Sequence, residues 1–445
     1  MSRSFPWYGW LGLGLLLAAE VGLALGLFPV RVAFYFLAWW SYILLADAWV
    51  WRRRGWSLLR NRPGEFLVLT FWSAALWNLF EVANFRLQNW FYVNVPASVP
   101  YGFLPTLFAY ATVLPGIFET YDLLRAYGVA EQLRMRPWRV TRAGLRCCTV
   151  VGLAMLVAPL LWPRYAYPLI WGFAVFLFEP VCYRSPVVGP RSLLAQCERG
   201  DPRAFLRLLL AGLICGGLWE IWNYWAVTKW IYTVPFFEDW KWFEMPPLGF
   251  LGFPPFAIEC YVLVNLLNLA RGGRGWEEPD QGGSGAPRCW AVAGVVIALL
   301  FNLAVYLGID RWTVESYLDS LEEMDGVPAE RVAALHRAGI IFPQELLAQT
   351  ATPEEIRALA QHTGIPEVRL QELRSAARLA DLKGLGVVRQ NELRRLGIPS
   401  VEALARETPE GLAARWQRES GAAPPPLPRL RAWVLAARRQ ASGAP

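Results

Sequence analysis

Histidine is almost missing. The 445 residues contain two, His336 and His362, both late in the chain. The long apolar part before them therefore excludes a histidine-ligated haem or a His-rich metal centre. The seven cysteines are scattered and form no C-x-x-C pair, which argues against a disulfide framework or a zinc ribbon; they read as small packing residues. Charge is sparse too, at 18% Asp, Glu, Lys and Arg. The formal charge of +7 is mostly arginine lying between apolar runs, a pattern of membrane topology rather than of nucleic-acid binding. What is abundant is apolar: 55% hydrophobic residues, 24 of them tryptophan, and a mean hydropathy of +0.28. That composition belongs to a polytopic membrane protein.

The chain repeats itself. Leu79-Phe-Glu81-Val-Ala-Asn84-Phe85 returns as Leu218-Trp-Glu220-Ile-Trp-Asn223-Tyr224, 139 residues later. Glu and Asn three residues apart share one helix face. Trp90-Phe-Tyr92 returns as Trp230-Ile-Tyr232, and Pro115-Gly-Ile-Phe-Glu119-Thr-Tyr121 as Pro255-Phe-Ala-Ile-Glu259-Cys-Tyr261. Upstream, Tyr35, Trp39 and Asp47 match Tyr167, Trp171 and Glu179. These matches predict a duplicated membrane unit whose polar residues were duplicated with it.

Apolar runs place spans at 7–28, 32–51, 64–86 and 103–127, then at 145–161, 165–183, 204–226 and 248–270, with a ninth at 289–309. The first run has a basic start like a leader, but 147–161 holds the same place in the second copy, so it reads as a retained span. Repeat one is thus 1–140 and repeat two 141–271. Four spans per copy is an even number, so both copies should share one orientation about an axis along the membrane normal. Arginines crowd the loops after the even-numbered spans, for example Arg52–Arg54 and Arg134–Arg146, and are few in the others. Positive-inside then predicts a cytoplasmic N-terminus and, after nine spans of an inner membrane, a C-terminal domain on the outer side. The loops after spans three and seven hold Trp90, Tyr92, Pro100 and Tyr101, and Trp230, Tyr232, Trp240 and Trp242. They read either as an interfacial aromatic belt or as a cap over a buried site.

Residues 272–288 are Gly, Ser, Glu and Asp without periodicity, a linker. Beyond 289–310 the composition turns charged and helical over 313–415, ahead of a Pro-rich stretch and a basic last helix in 416–445. Gly326-Val-Pro328, with Leu335, Arg337, Gly339 and Ile340, matches Gly384-Leu-Gly386, with Leu393, Arg395, Gly397 and Ile398. With Leu382-Lys-Gly-Leu-Gly-Val387, this resembles tandem helix-hairpin-helix domains of unknown function. Such hairpins can offer backbone N–H groups to phosphate. Here Pro328 removes one such amide, and from Arg311 onward 18 basic residues stand against 17 acidic ones. Nucleic acid is therefore an unfavoured partner, and a protein partner through 313–415 the favoured one.

Ionisable residues inside spans mark function by default. The expected fold is all-α: the duplicated bundle, the ninth span and a small helical domain. Within it Glu81, Glu119, Glu220 and Glu259 are candidate catalytic carboxyls, and Asn84, Asn223, Tyr92, Tyr232 and Trp230 candidate substrate-binding residues. Pro254 and Pro255 would start a helix after a broken Leu248–Phe253 segment, so that Glu220 lies within a hydrogen bond or one water of Asn223 or Glu259. One carboxyl of such a pair would keep a proton for acid–base work. Proton-coupled transport and structural bridging between helices use the same residues. Four Glu with two E-x-x-N steps resemble a dimetal carboxylate bundle, but Asn stands where His is needed, so neither metal nor cofactor is implied. Asp47 and Glu179 read as span-end residues beside Arg52 and Arg184. A Glu late in a span, then Trp-x-Tyr, then a Pro-rich re-entry (Glu220, Tyr232, Pro246-Pro247) is similar to membrane carotenoid-biosynthesis hydratase- and cyclase-like proteins. Lys229-Trp-Ile-Tyr-Thr-Val-Pro235 also resembles uncharacterised bacterial membrane proteins. The first resemblance implies acid chemistry on a lipid-soluble, isoprenoid substrate.

Overall fold

The computed structural model describes residues 3–96, 99–236, 240–277 and 288–443, without the side chains of 99–101, 288 and 290. Most of the 272–288 linker and the Pro100 and Tyr101 side chains lie outside the described residues. Among the described residues nine helices are long and apolar enough to cross a membrane. They are α1 (Trp7–Ala24), α2 (Phe28–Arg54), α3 (Pro63–Leu87), α4 (Gly102–Ala126), α5 (Arg142–Leu161), α6 (Pro163–Arg184), α7 (Arg203–Trp225), α8 (Pro247–Ala270) and α9 (Ala291–Trp312). The fold is all-α; the described strands are short, β1 (Trp90–Val93) and β2 (Lys229–Tyr232).

Local chemistry sets the helix ends. Three arginines, Arg52–Arg54, occupy the last turn of α2, where cations suit the helix dipole, and Gly55 closes it at φ 71°. Pro63 and Pro163 stand in the first turns of α3 and α6, where a missing N–H costs nothing. Two spans are broken at matching depths. α4 stops at Tyr110 and restarts at Val113. Ser73 of α3 bridges that gap, donating to the Tyr110 carbonyl at 2.6 Å and accepting from the Leu114 amide at 3.0 Å. α8 opens with a 3-10 turn, Pro247–Gly252, before the α-helix Phe253–Ala270. Here Gly212 matches Ser73 in the repeat, and a Cβ on it would lie 2.4 Å from the Phe253 carbonyl. The glycine lets the broken segment approach; the serine bonds it instead.

Within each half the first two helices pack together, α1 on α2 and α5 on α6. Aromatic residues join the halves at matching positions. Trp39 meets Trp219 at 5.4 Å between ring centroids, and Trp171 meets Phe80 at the same 5.4 Å. β1 and β2 pair antiparallel with Phe91 opposite Ile231, Trp90 opposite Tyr232 and Tyr92 opposite Trp230. Each strand thus faces its own counterpart in the repeat.

The C-terminal domain is joined to that strand pair. The chain leaving α9 adds a parallel edge to β1, with Tyr92 bridged to Val314 and Val95 to Tyr317. The Tyr92 amide donates to the Thr313 carbonyl at 2.7 Å, and the Glu315 amide to the Tyr92 carbonyl at 2.8 Å. The Leu382–Gly386 turn sits on top. A Cβ on Gly384 would fall 2.0 Å from Val93, and one on Gly386 would fall 2.5 Å from Ser316. Lys383 of this turn bonds Glu244, which also accepts from Lys229 at 3.0 Å. Burial opposes a charge on Glu244, but the ammonium groups of Lys229, Lys383 and Lys241 outweigh it and hold the carboxyl down at about 2. Arg429 of the last helix (Leu427–Ala441) bonds Glu315 and the Trp312 carbonyl and lies over the Phe91 ring. That helix buries Leu430 and Trp433 in one cluster with Leu385, Leu404 and Trp416, so it is packed into the domain.

Candidate functional site

The centre of interest is Glu81, fully buried six residues before the end of α3. One of its oxygens, Oε1, collects three donors: Trp77 Nε1 at 2.9 Å, Trp90 Nε1 at 3.1 Å and the Tyr92 hydroxyl at 2.5 Å; the Tyr110 hydroxyl lies 3.4 Å away, and its one proton has a closer acceptor. Tyr110 donates to the Tyr92 oxygen at 2.8 Å. Trp77 stands one helical turn before Glu81, so its indole lies on the same face. β1 delivers Trp90 and Tyr92 on alternate positions, hence on one face of the strand. The other oxygen, Oε2, is buried and has no partner among the described residues.

Asn84 does not touch Glu81. Its amide donates to the Trp90 carbonyl at 2.9 Å, while its oxygen accepts from the Asn89 and Trp90 amides at 2.9 and 3.3 Å. Asn223 does the same work, donating to the Trp230 carbonyl at 2.9 Å and accepting from the Trp230 amide at 3.0 Å. Both asparagines fix the turn from helix to strand. Among the described residues their side-chain bonds all go to the backbone that positions Trp90 and Trp230.

Glu220 is equally buried, yet neither oxygen has a hydrogen-bond partner among the described residues. Tyr35, Tyr232 and the backbone of Glu244 surround it. The repeat explains the difference. The positions matching the donors Trp77 and Tyr110 are Gly216 and Phe250, neither of which has a side-chain donor. Gly216 instead admits the Phe253 ring, which a Cβ would meet at 2.2 Å. Trp230 keeps its indole, but its Nε1 is unpartnered, and Tyr35 packs against its ring at 5.1 Å. Burial first, and then the neighbouring glutamate, raise the Tyr92 and Tyr232 hydroxyls well above the ordinary phenol range, so both keep their protons.

Among the described residues no direct hydrogen bond links Glu220 to Asn223 or Glu259, and Glu259 lies at a different depth. Helix geometry gives the reason. Glu81 and Glu220 lie about 26 Å along their helices from the Arg-rich end, whereas Glu119 and Glu259 lie only about 10 and 17 Å from it, at a 1.5 Å rise per residue. Glu81 and Glu220 therefore share one depth, and Glu119 and Glu259 lie nearer the Arg-rich end. Glu119 lies beside Asp47 with both oxygens unpartnered. Glu259 accepts from the Ala174 amide at 2.9 Å, at the start of the last helical part of α6. Asp47 and Glu179 tie span ends to the following loops, accepting from the Leu59 and Leu194 amides, both at 2.8 Å. Trp77 and Tyr110 are the site residues that sequence reasoning missed. Trp77 was findable at i−4 from Glu81; nothing in the wording singled out Tyr110.

An apolar cleft of about 500 Å³ is lined by Ala111, the chain neighbour of Tyr110, but by neither Glu81 nor its donors. It opens between α2, α3, the first part of α4 and α9, lined by Phe36, Phe71, Ala74, Phe108, Ala111 and Leu299 among others. Ala74 is one turn from Trp77 and Asn78, and Ala111 adjoins Tyr110. Asn302 reaches the cleft from α9 and accepts from Asn78 at 2.8 Å. Among the described residues no group of three or more His, Cys, Asp or Glu is placed to hold a metal ion.

Residues 325–440 match the family described as Domain of unknown function (DUF4332). The match covers the C-terminal domain, including most of its last helix, and none of the nine long apolar helices. No curated protein and no solved structure matches the chain.

Proposed function

We propose that the protein is a membrane enzyme that performs acid–base chemistry on a lipid-soluble substrate of the isoprenoid type at Glu81. The observation that carries this reading is a buried carboxyl held on one oxygen by three donors, with an apolar cleft between α3, α4 and α9 that reaches Ala111, next to Tyr110 in the chain. A polar carrier path needs water-facing groups across the bilayer; a cleft lined by Phe, Leu and Ala suits a hydrocarbon chain. In the proposal the three donors fix the carboxyl and Oε2 faces the substrate, where it stabilises or accepts positive charge. Glu220, in the second copy, lost two donor positions and is the diverged partner that supplies a proton. The similarity of the Glu, Trp-x-Tyr and Pro-rich order to carotenoid hydratase- and cyclase-like proteins supports the same chemistry.

Three further parts belong to this reading. The two halves are copies of one unit, supported by the matched aromatic contacts and the strand register. The Arg-rich loops are cytoplasmic and the C-terminal domain outside. That domain is a tandem helix-hairpin-helix whose second hairpin serves as a clamp on β1 rather than as a nucleic-acid contact, since its glycines are covered by Val93 and Ser316.

The test is expression in a host membrane followed by mass spectrometry of the apolar lipid extract. The wild type should generate or consume a lipid-soluble species relative to a host lacking the protein. Glu81→Gln should reduce that change by about 100-fold or more, the range for loss of a general acid or base. Ala74→Trp, which fills the cleft, should do the same while Glu81 stays intact. An extract indistinguishable between the wild type and the empty host would overturn the proposal.

A further inference from the structure

A second cavity, of about 310 Å³, lies at the opposite, Arg-rich end of the bundle. It shares no residue with the Glu81 cleft. Tyr121 and Tyr261, counterparts in the two repeats, both line it, so it sits where the halves meet. Its walls come from the ends of α4 and α8, the start of α7 and the loop before α7.

The cavity is built from arginine. Arg207 is only 4% exposed, and bonds the Glu131 carboxylate at 2.5 Å and the Val129 carbonyl at 2.8 Å. Arg203 pairs with Asp201 at 2.7 Å and shares Glu131 at 2.9 Å. Arg191 pairs with Glu277 at 2.9 Å. Those three carboxylates are thereby engaged. Two lining arginines have none: Arg199 donates to the Pro190 carbonyl at 2.8 Å, and Arg125 makes no hydrogen bond or salt bridge among the described residues. Outside the lining, Arg125 attracts the buried Asp122, which is also salt-bridged to Arg54 at 3.8 Å. Five guanidinium groups against three carboxylates leave the lining two positive charges in excess. The Tyr121 hydroxyl also has no hydrogen bond among the described residues, whereas that of Tyr261 is engaged by the Arg191 carbonyl and Glu277 at 2.8 and 2.9 Å.

We infer that this cavity is a binding site for a phosphoryl dianion, held by Arg125 and Arg199 with the Tyr121 hydroxyl as a third donor. Guanidinium forks match phosphate oxygens two at a time, and an excess of two charges is what such a group neutralises. The volume is at the small end for ligand pockets, enough for a headgroup or a small phosphate rather than a nucleotide cofactor. The phosphoryl group comes either from a lipid headgroup or from a free phosphate compound in the aqueous phase.

The experiment uses the full chain in nanodiscs of phosphatidylcholine. One arm titrates inorganic phosphate and pyrophosphate by calorimetry; the other exchanges in phosphatidic acid at about a tenth of the lipid and follows thermal stability. Saturable pyrophosphate binding points to a soluble source, and stabilisation by phosphatidic acid alone to a lipid source; either supports the site. Arg125→Gln should weaken the response at least tenfold, and Tyr121→Phe by about threefold, the latter with unliganded melting unchanged because its hydroxyl makes no hydrogen bond among the described residues. No response to any probe, or a response equal in wild type and Arg125→Gln, would overturn the inference.

Discussion

Gly384→Ala should release the C-terminal domain from the membrane helices. The new Cβ would lie 2.0 Å from one Val93 methyl and 2.1 Å from the Val93 Cβ, at the end of β1. Val93 is fully buried and cannot rotate away. Overpacking of this kind costs about 1–3 kcal/mol. Gly384 also holds φ at +67°, a region that costs an alanine about 1 kcal/mol more. Gly397→Ala is the control, because it has nearly the same backbone (φ +77°) but nothing within 4 Å of its Cβ. The difference between the two variants isolates docking from backbone strain. At 1.4 kcal/mol per tenfold, it predicts an undocked population about 5- to 150-fold larger for Gly384→Ala than for Gly397→Ala. Amide exchange reads this directly, since the Tyr92 and Val95 amides donate to the Thr313 and Ser316 carbonyls only when the domain is docked. Peptides covering 90–96 and 313–318 should exchange faster by that factor in Gly384→Ala. Equal rates in the two variants would refute the clamp.

The ion cluster under the same turn gives a pH dependence. Glu244 titrates at about 2 when folded and near 4.5 when released, so its contribution is complete above about 4.5 and is lost as pH falls toward 2. The separation corresponds to on the order of 3 kcal/mol. Melting of the full chain should therefore drop between pH 5 and pH 3, and Glu244→Gln should flatten that drop; parallel profiles would contradict the assignment. For orientation, alkaline phosphatase fused after Gly443 should be active, while fluorescence of a green fluorescent fusion there would reverse the topology.

Much of the architecture was readable because it rests on local rules. Span positions follow from apolar length, and the break before Phe253 from Pro254 and Pro255. The paired positions of β1 and β2 were visible only as repeated words; nothing local says that Trp90-Phe-Tyr and Trp230-Ile-Tyr pair with each other rather than lie on the membrane surface. The carboxyls were found, but their depths were not. Spacing in sequence gives the face of a helix, whereas depth requires the direction of each span and its break, which separates Glu220 from Glu259. The backbone bonds of Asn84 and Asn223 were not legible because an Asn before a turn bonds backbone as readily as it orients a side chain. Glu244 with Lys383 joins residues 139 positions apart, and Arg207 with Glu131 joins residues 76 apart. No periodicity carries such pairings.

β1 pairs with a strand that begins 136 residues after its own last residue, and its other edge waits for Val314. At about 5–20 residues per second of synthesis, β1 stands with both edges open for roughly 7–27 s, and longer on the second side. An apolar strand with free edges is a template for another chain. The delay falls while the following spans are being inserted, so nascent copies made on one messenger are exposed to strand exchange with each other. The conformation that protects β1 is available only once α9 has been threaded and the residues after it have emerged. Truncation anywhere before Val314 should thus yield a protein that is inserted but prone to self-association, and the final third of the chain acts, in biogenesis, as the lid that closes an otherwise adhesive edge.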